Sequence, residues 1–384
     1  MDKPLKIAFL TATDARDKRS RSGTIYYMAK AIQEHCGDVY YLGPLNSQMD
    51  KVARWFNNLT LKIFNKNYAY EHSILLSFSY ARIIKEKLKE KQYDIIFAPV
   101  ASTELALLSA EIPIIYTADA TFSLISNYYP DYFTGQLKLS REEGNYIEQS
   151  AINKADILLY PTQWAANSAI NDYGADKSNI KIVPFGANID DTPSREIVIH
   201  KEKSDKCKLL FLGVDWERKG GEIAFEALVE LLKLGVDTEL IICGCIPPEE
   251  FKHDNMSVIP FLDKNNPEQN KELQLLFLSS DFLILPSRTE AYGVVFCEAN
   301  AYGLPAITTD TGGIPGVIED GKNGYMLPLD ARGADYAELI KNIYQDEERY
   351  NQLVCDSRKT FEEKLNWDSW GIKVGMIIKK LLDK

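Results

Sequence analysis

Long apolar runs are missing from this chain. Nothing in its 384 residues approaches the roughly 18 consecutive apolar residues that cross a bilayer. The apolar stretch from Leu5 to Ala12 is too short for a secretory leader and runs into charge, so the expected compartment is the cytoplasm. Positive charge is in deficit: 44 Lys and Arg face 55 Asp and Glu, for a net charge of −11. A nucleic-acid partner needs a basic face and is not expected. The six cysteines form no C-x-x-C, and Cys243-Gly-Cys245 lacks the second pair that structural zinc requires. Their apolar surroundings read as buried thiols. There is no repeat of fixed period and no low-complexity tract. No G-x-G-x-x-G follows the first apolar run, which disfavours a dehydrogenase. No Asp-x-Asp is set up for a metal, since Asp190-Asp191 falls in a charged connector.

What is present is organised around residues 281–310. Phe282 to Leu285 has the continuous apolar character of a buried strand. Pro286 and Ser287 end it, a helix is expected from about Gly293 to Gly303, and Ala306 to Thr309 opens the next strand. Such a βαβ unit implies a parallel sheet. The amides of Tyr292, Gly293 and Val294 would lie at the helix N-terminus, where free N–H groups and the dipole favour an anion. Glu290 precedes that turn and Glu298 follows it. An ionised Glu only accepts hydrogen bonds, so one carboxylate on each side of a phosphate site suits the hydroxyls of two sugar rings. Two glutamates eight residues apart also arise by chance on a solvated face. Context sets these two apart: Gly312-Gly313 follows the next strand, and Asp320-Gly321-Lys322-Asn323-Gly324 forms a turn before another.

The length suggests about two domains. Strands are expected at Leu5–Thr11, Val39–Leu42, Asp94–Pro99, Ile112–Ala118, Asp156–Pro161 and Ile180–Pro184, alternating with helices as in a doubly wound sheet. The polar loop after the first strand ends in Gly23 at a helix start, either a connector or an anion cradle. Its Arg16, Lys18, Arg19 and Arg21 are either solvated or within reach of an anionic acceptor. Between Met49 and Leu88, aromatic and aliphatic residues alternate with Lys51, Arg54, Lys62 and Lys66. That mixture fits helices packed on the sheet, or a surface for a lipid headgroup or aglycone. Asp119 follows the fourth strand at its carboxyl end, where open α/β sheets bind ligands; it would orient an acceptor hydroxyl or cap the next helix. The four histidines read as surface or helix-end residues. Residues 190–206 read as a linker. A second set of strands follows at Lys208–Gly213, Glu239–Cys243 and Ser257–Phe261, and an amphipathic helix at Trp367–Leu382 ends the chain. Arg218-Lys219-Gly220-Gly221, at a helix start after the first of these strands, suits a diphosphate: Arg grips two oxygens and Lys adds a compact charge.

Glu290, seven residues, Glu298, then Ala-x-Ala-x-Gly-Leu-Pro, Gly-Gly and Asp-Gly-x-Asn-Gly resembles the C-terminal half of the family 4 retaining glycosyltransferases, also called glycosyltransferase group 1. The match is dense from about Leu209 to Leu327. The resemblance implies a GT-B fold of α/β class, with two Rossmann-like doubly wound domains facing a central cleft. It implies an acceptor domain at 1–189, the linker 190–206, a nucleotide-sugar domain at 207–365, and a helix at 366–384 crossing back to the first domain. It also implies transfer of a hexose from a UDP- or GDP-sugar to an acceptor of unknown identity (a glycan, a lipid-linked molecule or a small molecule) in polysaccharide or glycolipid synthesis. The donor is a co-substrate, and neither cofactor nor metal is required. Arg218 and Lys219 would neutralise the leaving diphosphate, Glu290 hold the reacting sugar, Glu298 the ribose, and the backbone at Phe261 and Leu262 border the base. Gly23 would face the donor phosphates, and peripheral contact with the inner face of the membrane is compatible with such chemistry. Two positions depart from the family pattern: Val214 stands where relatives often have Arg, and Asp119 where many have His. The rivals are a nucleotide-sugar sensor without turnover, a two-domain sugar-nucleotide epimerase, and a glycosidase using Glu290 and Glu298 as acid and nucleophile. Hydrolysis offers no reason for the Arg-Lys-Gly cluster.

Overall fold

A computed structural model describes residues 4–129, 135–201 and 205–383. The chain divides into two compact units, one of 1–184 with 370–384, the other of 185–369. Each holds a six-stranded parallel sheet with helices between most successive strands.

In the first unit the strands are β1 (Leu5–Phe9), β2 (Gly37–Tyr41), β3 (Ile95–Pro99), β4 (Ile114–Thr117), β5 (Ile157–Tyr160) and β6 (Ile180–Ile182), in the order β2-β1-β3-β4-β5-β6. Ile7 to Phe9 and Ile95 to Phe97 are fully buried, as expected where helices cover both faces of a parallel sheet and strands become unbroken apolar runs. The helix Thr24–His35 buries Ile25, Met28, Ala29 and Ile32, the i, i+3, i+4, i+7 face of an amphipathic helix. The order reverses between β1 and β3, which makes that gap the topological switch point. From Trp370 on, the last helix belongs to this unit: its Trp370 ring meets Phe97 edge-on with 5.9 Å between centroids.

In the second unit β7 (Cys207–Leu212), β8 (Thr238–Cys243), β9 (Met256–Ile259), β10 (Phe282–Leu285), β11 (Ala306–Thr309) and β12 (Gly324–Leu327) run in the order β12-β11-β10-β7-β8-β9. Its switch point lies between β7 and β10. Two expectations need correcting. Residues 190–206 are not an open connector: Arg195–Ile199 is helical, capped by the Ser194 hydroxyl, with Val198 fully buried against Gly303 in this unit. Residues 202–204 of that stretch lie outside the described residues, as does Lys384 of the expected 366–384 helix. Residues 49–88 form two helices, Met49–Phe64 and Ile74–Lys89, separated after the left-handed Asn65. The first of these turns most of its apolar side chains outward: only Ala53 and Thr60 are buried. His72 ends the short helix Tyr70–His72, as expected, with its residue half-buried. Its ring packs on Phe122 at 5.0 Å, and burial pushes its pKa down to about 4.

A buried carboxyl in the first unit makes a testable contribution to stability. Glu148, on the helix Lys138–Lys154, receives the Tyr116 hydroxyl at 3.1 Å, and burial pushes its pKa up to about 7. Raised above its unfolded value, the group favours folding fully below about pH 4.5, and that contribution disappears as pH rises to about 7. Glu148→Gln keeps the shape and removes the charge. Thermal melts from pH 5 to 8 should show the variant gaining on the parent by a few degrees as pH rises. A gap independent of pH would mean that Glu148 titrates like an exposed carboxylate.

Candidate functional site

The second unit gathers most of the candidate residues on two loops at its switch point, one leaving β7 and one leaving β10. Ligands bind outside the carboxyl ends of strands at such points because the two loops diverge there and leave a crevice. These loops are tied together. The Arg288 amide donates to the Arg218 carbonyl at 2.8 Å, and Arg218 Nη1 donates to the Thr289 carbonyl at 3.1 Å. Gly220, at φ +75°, lies so close to the β10 exit that a Cβ there would stand 2.1 Å from the Pro286 carbonyl oxygen.

Lys219 and Glu290 form a salt bridge across this junction, both side chains about nine-tenths buried. Arg218 Nη1 is 3.8 Å from the same Glu290 oxygen, while its Nε bonds Asp215 at 3.2 Å. The Glu290 carbonyl receives the Gly313 amide from the loop after β11 at 3.0 Å. Three loops therefore meet at Glu290, two cations on its carboxylate and the Gly313 amide on its backbone carbonyl. Val214, in the loop after β7, is 68% exposed.

The helix Val294–Ala301 begins immediately beyond. Gly293 precedes it at φ +82°, and a Cβ there would stand 2.5 Å from the Phe296 ring and 3.2 Å from Glu290. Glycine is therefore needed both for the turn and for space. The first-turn amides of a helix have no acceptor within it and carry its positive end. Tyr292 can contribute only its backbone to such a site, because its hydroxyl donates to the Phe185 carbonyl at 2.8 Å in the interior. Glu298 lies further along this helix, 3% exposed, and is paired with Lys264. Lys264 comes from the loop after β9, the loop of Phe261 and Leu262. Phe261 is 61% exposed and so is not core.

Gly23 and Asp119 belong to the first unit, at the carboxyl ends of β1 and β4. Gly23 precedes the helix Thr24–His35. Asp119 does not cap the helix Phe122–Tyr128, since the Thr121 hydroxyl accepts from the Leu124 amide. Of the four cations after β1, Arg16 clasps Asp14 with bonds of 2.9 and 3.1 Å, Arg19 clasps Asp17 at 2.9 and 3.0 Å, and the Lys18 ammonium lies over the Tyr26 ring at 4.8 Å. Each Arg holds its Asp below the usual carboxylate range.

Sequence reasoning did not find Lys264, Asp215 or the Gly313 amide. The Asp215–Arg218 spacing of three is a readable helical-type pair. Nothing in the sequence points to Lys264, whose partner lies 34 residues away.

Known proteins match this arrangement along nearly the whole chain. Residues 23–191 match the model described as glycosyltransferase family 4, and residues 194–360 the model described as glycosyl transferases group 1. A D-inositol 3-phosphate glycosyltransferase of Corynebacterium efficiens is 27% identical over 270 residues, covering 64% of this chain and 61% of that protein. The chain thus spans about three fifths of that relative's length. Sucrose-phosphate synthase from Thermosynechococcus elongatus superposes with a TM-score of 0.69 at 14% identity, over 99% of both chains. HepE of Anabaena, solved with UDP and glucose, superposes with a TM-score of 0.65 at 14% identity, over 98% of this chain and all of its own. With two doubly wound sheets and both family models matched in tandem, the chain belongs to the family 4, group 1 glycosyltransferases of GT-B fold.

Proposed function

We propose that this protein is a retaining glycosyltransferase that moves a hexose from a nucleoside diphosphate sugar to an acceptor hydroxyl. The observation that carries the reading is the convergence of Arg218, Lys219 and Glu290 beside the N-terminus of the helix Val294–Ala301, at the switch point of its sheet. Phosphate oxygens accept hydrogen bonds from the cations and helix amides, and the sugar hydroxyls donate to Glu290. As the glycosidic bond breaks, negative charge grows on the β-phosphate and positive charge on the sugar. Fixed cations and dipoles stabilise the first of these without reorganising. Glu298, oriented by Lys264, accepts from the ribose, and Phe261 offers an exposed ring at the base. The names of the relatives support the reading: one is a glycosyltransferase, and HepE was solved with UDP and glucose. Asp119 would orient the acceptor.

Two protein cations at the diphosphate position supply the charge that a divalent ion supplies elsewhere, so we expect UDP or GDP to bind without metal. Titration calorimetry in excess EDTA tests this. Binding that is unchanged by the chelator is expected, and its complete loss would require a metal-dependent site.

A further inference from the structure

We propose that Asp215 is a positioning residue of the transfer reaction, acting only through Arg218; the inference rests on the reading that Arg218 faces the diphosphate. An arginine side chain is long and rich in rotamers, so its guanidinium meets a developing charge well only when something else fixes its plane. Asp215, three residues earlier, supplies a fixing point. Its Oδ2 receives the Arg218 Nε at 3.2 Å, and its Oδ1 receives the Arg218 amide at 3.1 Å. One carboxylate thus holds both the backbone and the side chain of the same residue. Arg218 Nη1 is anchored separately, on the Thr289 carbonyl at 3.1 Å. Anchors on two different nitrogens of a rigid planar group define its plane, and here they come from the loops after β7 and β10. The same guanidinium lies 3.8 Å from Glu290.

Two plainer roles for Asp215 make different demands. One is to shape the turn. That turn has other supports: the Lys219 amide donates to the Asp215 carbonyl at 3.1 Å, the Gly220 amide to the Glu217 carbonyl at 3.1 Å, and the Gly221 amide to the Trp216 carbonyl at 2.8 Å. Trp216 is buried and wedged against Gly221, where a Cβ would stand 2.2 Å from its ring, and its ring meets Phe211 with 5.5 Å between centroids. A turn held at so many points keeps its path without a side-chain cap. The other role is to act through space, and there the sign is unfavourable. Asp215 and Glu290 together cancel the charge of Arg218 and Lys219, and a carboxylate beside an anion site repels the anion. The place of Asp215 in this site is explained by the orientation it gives Arg218, not by the charge it carries.

Asp215→Asn separates the three roles. The amide oxygen of Asn still accepts from the Arg218 backbone, but its Nδ2 donates and cannot receive Arg218 Nε. With the full chain and a UDP- or GDP-hexose, kcat should fall about tenfold, a fraction of the roughly 10²–10³ lost with a whole preorganised charge. Affinity for UDP or GDP should stay within about twofold of the parent, because the loss is felt as charge develops, and the melting temperature should hold. Unchanged kcat would make Asp215 a turn residue, and a rise in both affinity and kcat would make it a through-space charge; either overturns the proposal. In an Arg218→Ala background, Asp215→Asn should slow the reaction no further, since nothing is left to position. An undiminished further fall would overturn the proposal, and so would an Arg218→Ala variant with parental kcat, which leaves the transferase reading to Lys219. Heteronuclear NMR of arginine-labelled protein reads the clamp without turnover. The Arg218 Nε–H, assigned by its loss in Arg218→Lys, should be protected from exchange with water in the parent and exchange rapidly in Asp215→Asn. Equal protection in both would overturn the proposal even in an active transferase. A clamp seen by NMR in a protein that transfers no hexose would overturn it through its premise, with the geometry intact.

Discussion

Lys219→Ala is expected to lower kcat/KM for the sugar donor by about 10²–10³, the scale of removing one preorganised charge from a developing oxyanion. The structure adds a second effect that the family pattern alone does not imply. Lys219 is buried against Glu290, with only about a tenth of either side chain exposed. Removing one member of a buried pair strands the other and costs about 3–5 kcal/mol. A fall in activity could then come from the chemistry or from a collapsed loop. The comparison with Glu290→Gln separates them. Both variants lose the ion pair, but only Lys219→Ala loses the cation that would face the diphosphate. Nucleotide affinity by calorimetry should therefore drop steeply in Lys219→Ala and change far less in Glu290→Gln, while both melt at lower temperature. Normal kcat/KM in Lys219→Ala would mean that the diphosphate sits elsewhere.

The second large effect concerns the two carboxylates, which the structure places in different company. Glu290 shares a junction with two cations and receives the Gly313 amide on its carbonyl. Glu298, deeper in the helix, is held among the described residues by Lys264. A contact to the reacting sugar strengthens as charge develops and so appears in kcat; a contact to the ribose is the same before and during the reaction and so appears in KM. Glu290→Gln should lower kcat by about 10²-fold or more, in line with losing one preorganised electrostatic contact. Glu298→Gln should mainly raise the donor KM. Lys264→Ala should resemble Glu298→Gln, because its action on the ribose is through that carboxylate. Matching KM rises in both Glu variants with kcat intact would remove Glu290 from the reacting centre. A covalent glycosyl adduct on either Glu would replace leaving-group stabilisation with a nucleophilic route.

The parallel sheets were the most legible part of the sequence, because strands buried on both faces leave unbroken apolar runs. Phe282–Leu285 and Ala306–Thr309 end where the runs end. Helix Met49–Phe64 was legible as a helix but not as an exposed one: hydrophobic spacing reports a face without saying which way it turns. The short helix Arg195–Ile199 was hidden in a charge-rich stretch, and only its Ser194 cap and buried Val198 mark it. Within the site, Glu290, Arg218 and Lys219 could be named because each sits within a few residues of a strand end. That Arg218 bonds the Thr289 carbonyl, and that Lys264 reaches Glu298, are tertiary facts with no local signature. His72 shows the reverse case, a polar residue whose burial against Phe122 no neighbouring residue announces.

The close approach of Gly220 to the Pro286 carbonyl bears on how this domain can be re-engineered. The loops after β7 and β10 are cut to fit each other, like two parts machined as a pair. Grafting the Arg218–Gly221 turn from a relative onto this scaffold, without the matching Pro286–Gly293 turn, would bring a foreign backbone against an unaltered carbonyl. Specificity swaps between members of this family should therefore succeed when both turns are exchanged as one cassette, and chimeras that exchange either alone should lose soluble expression before they lose selectivity.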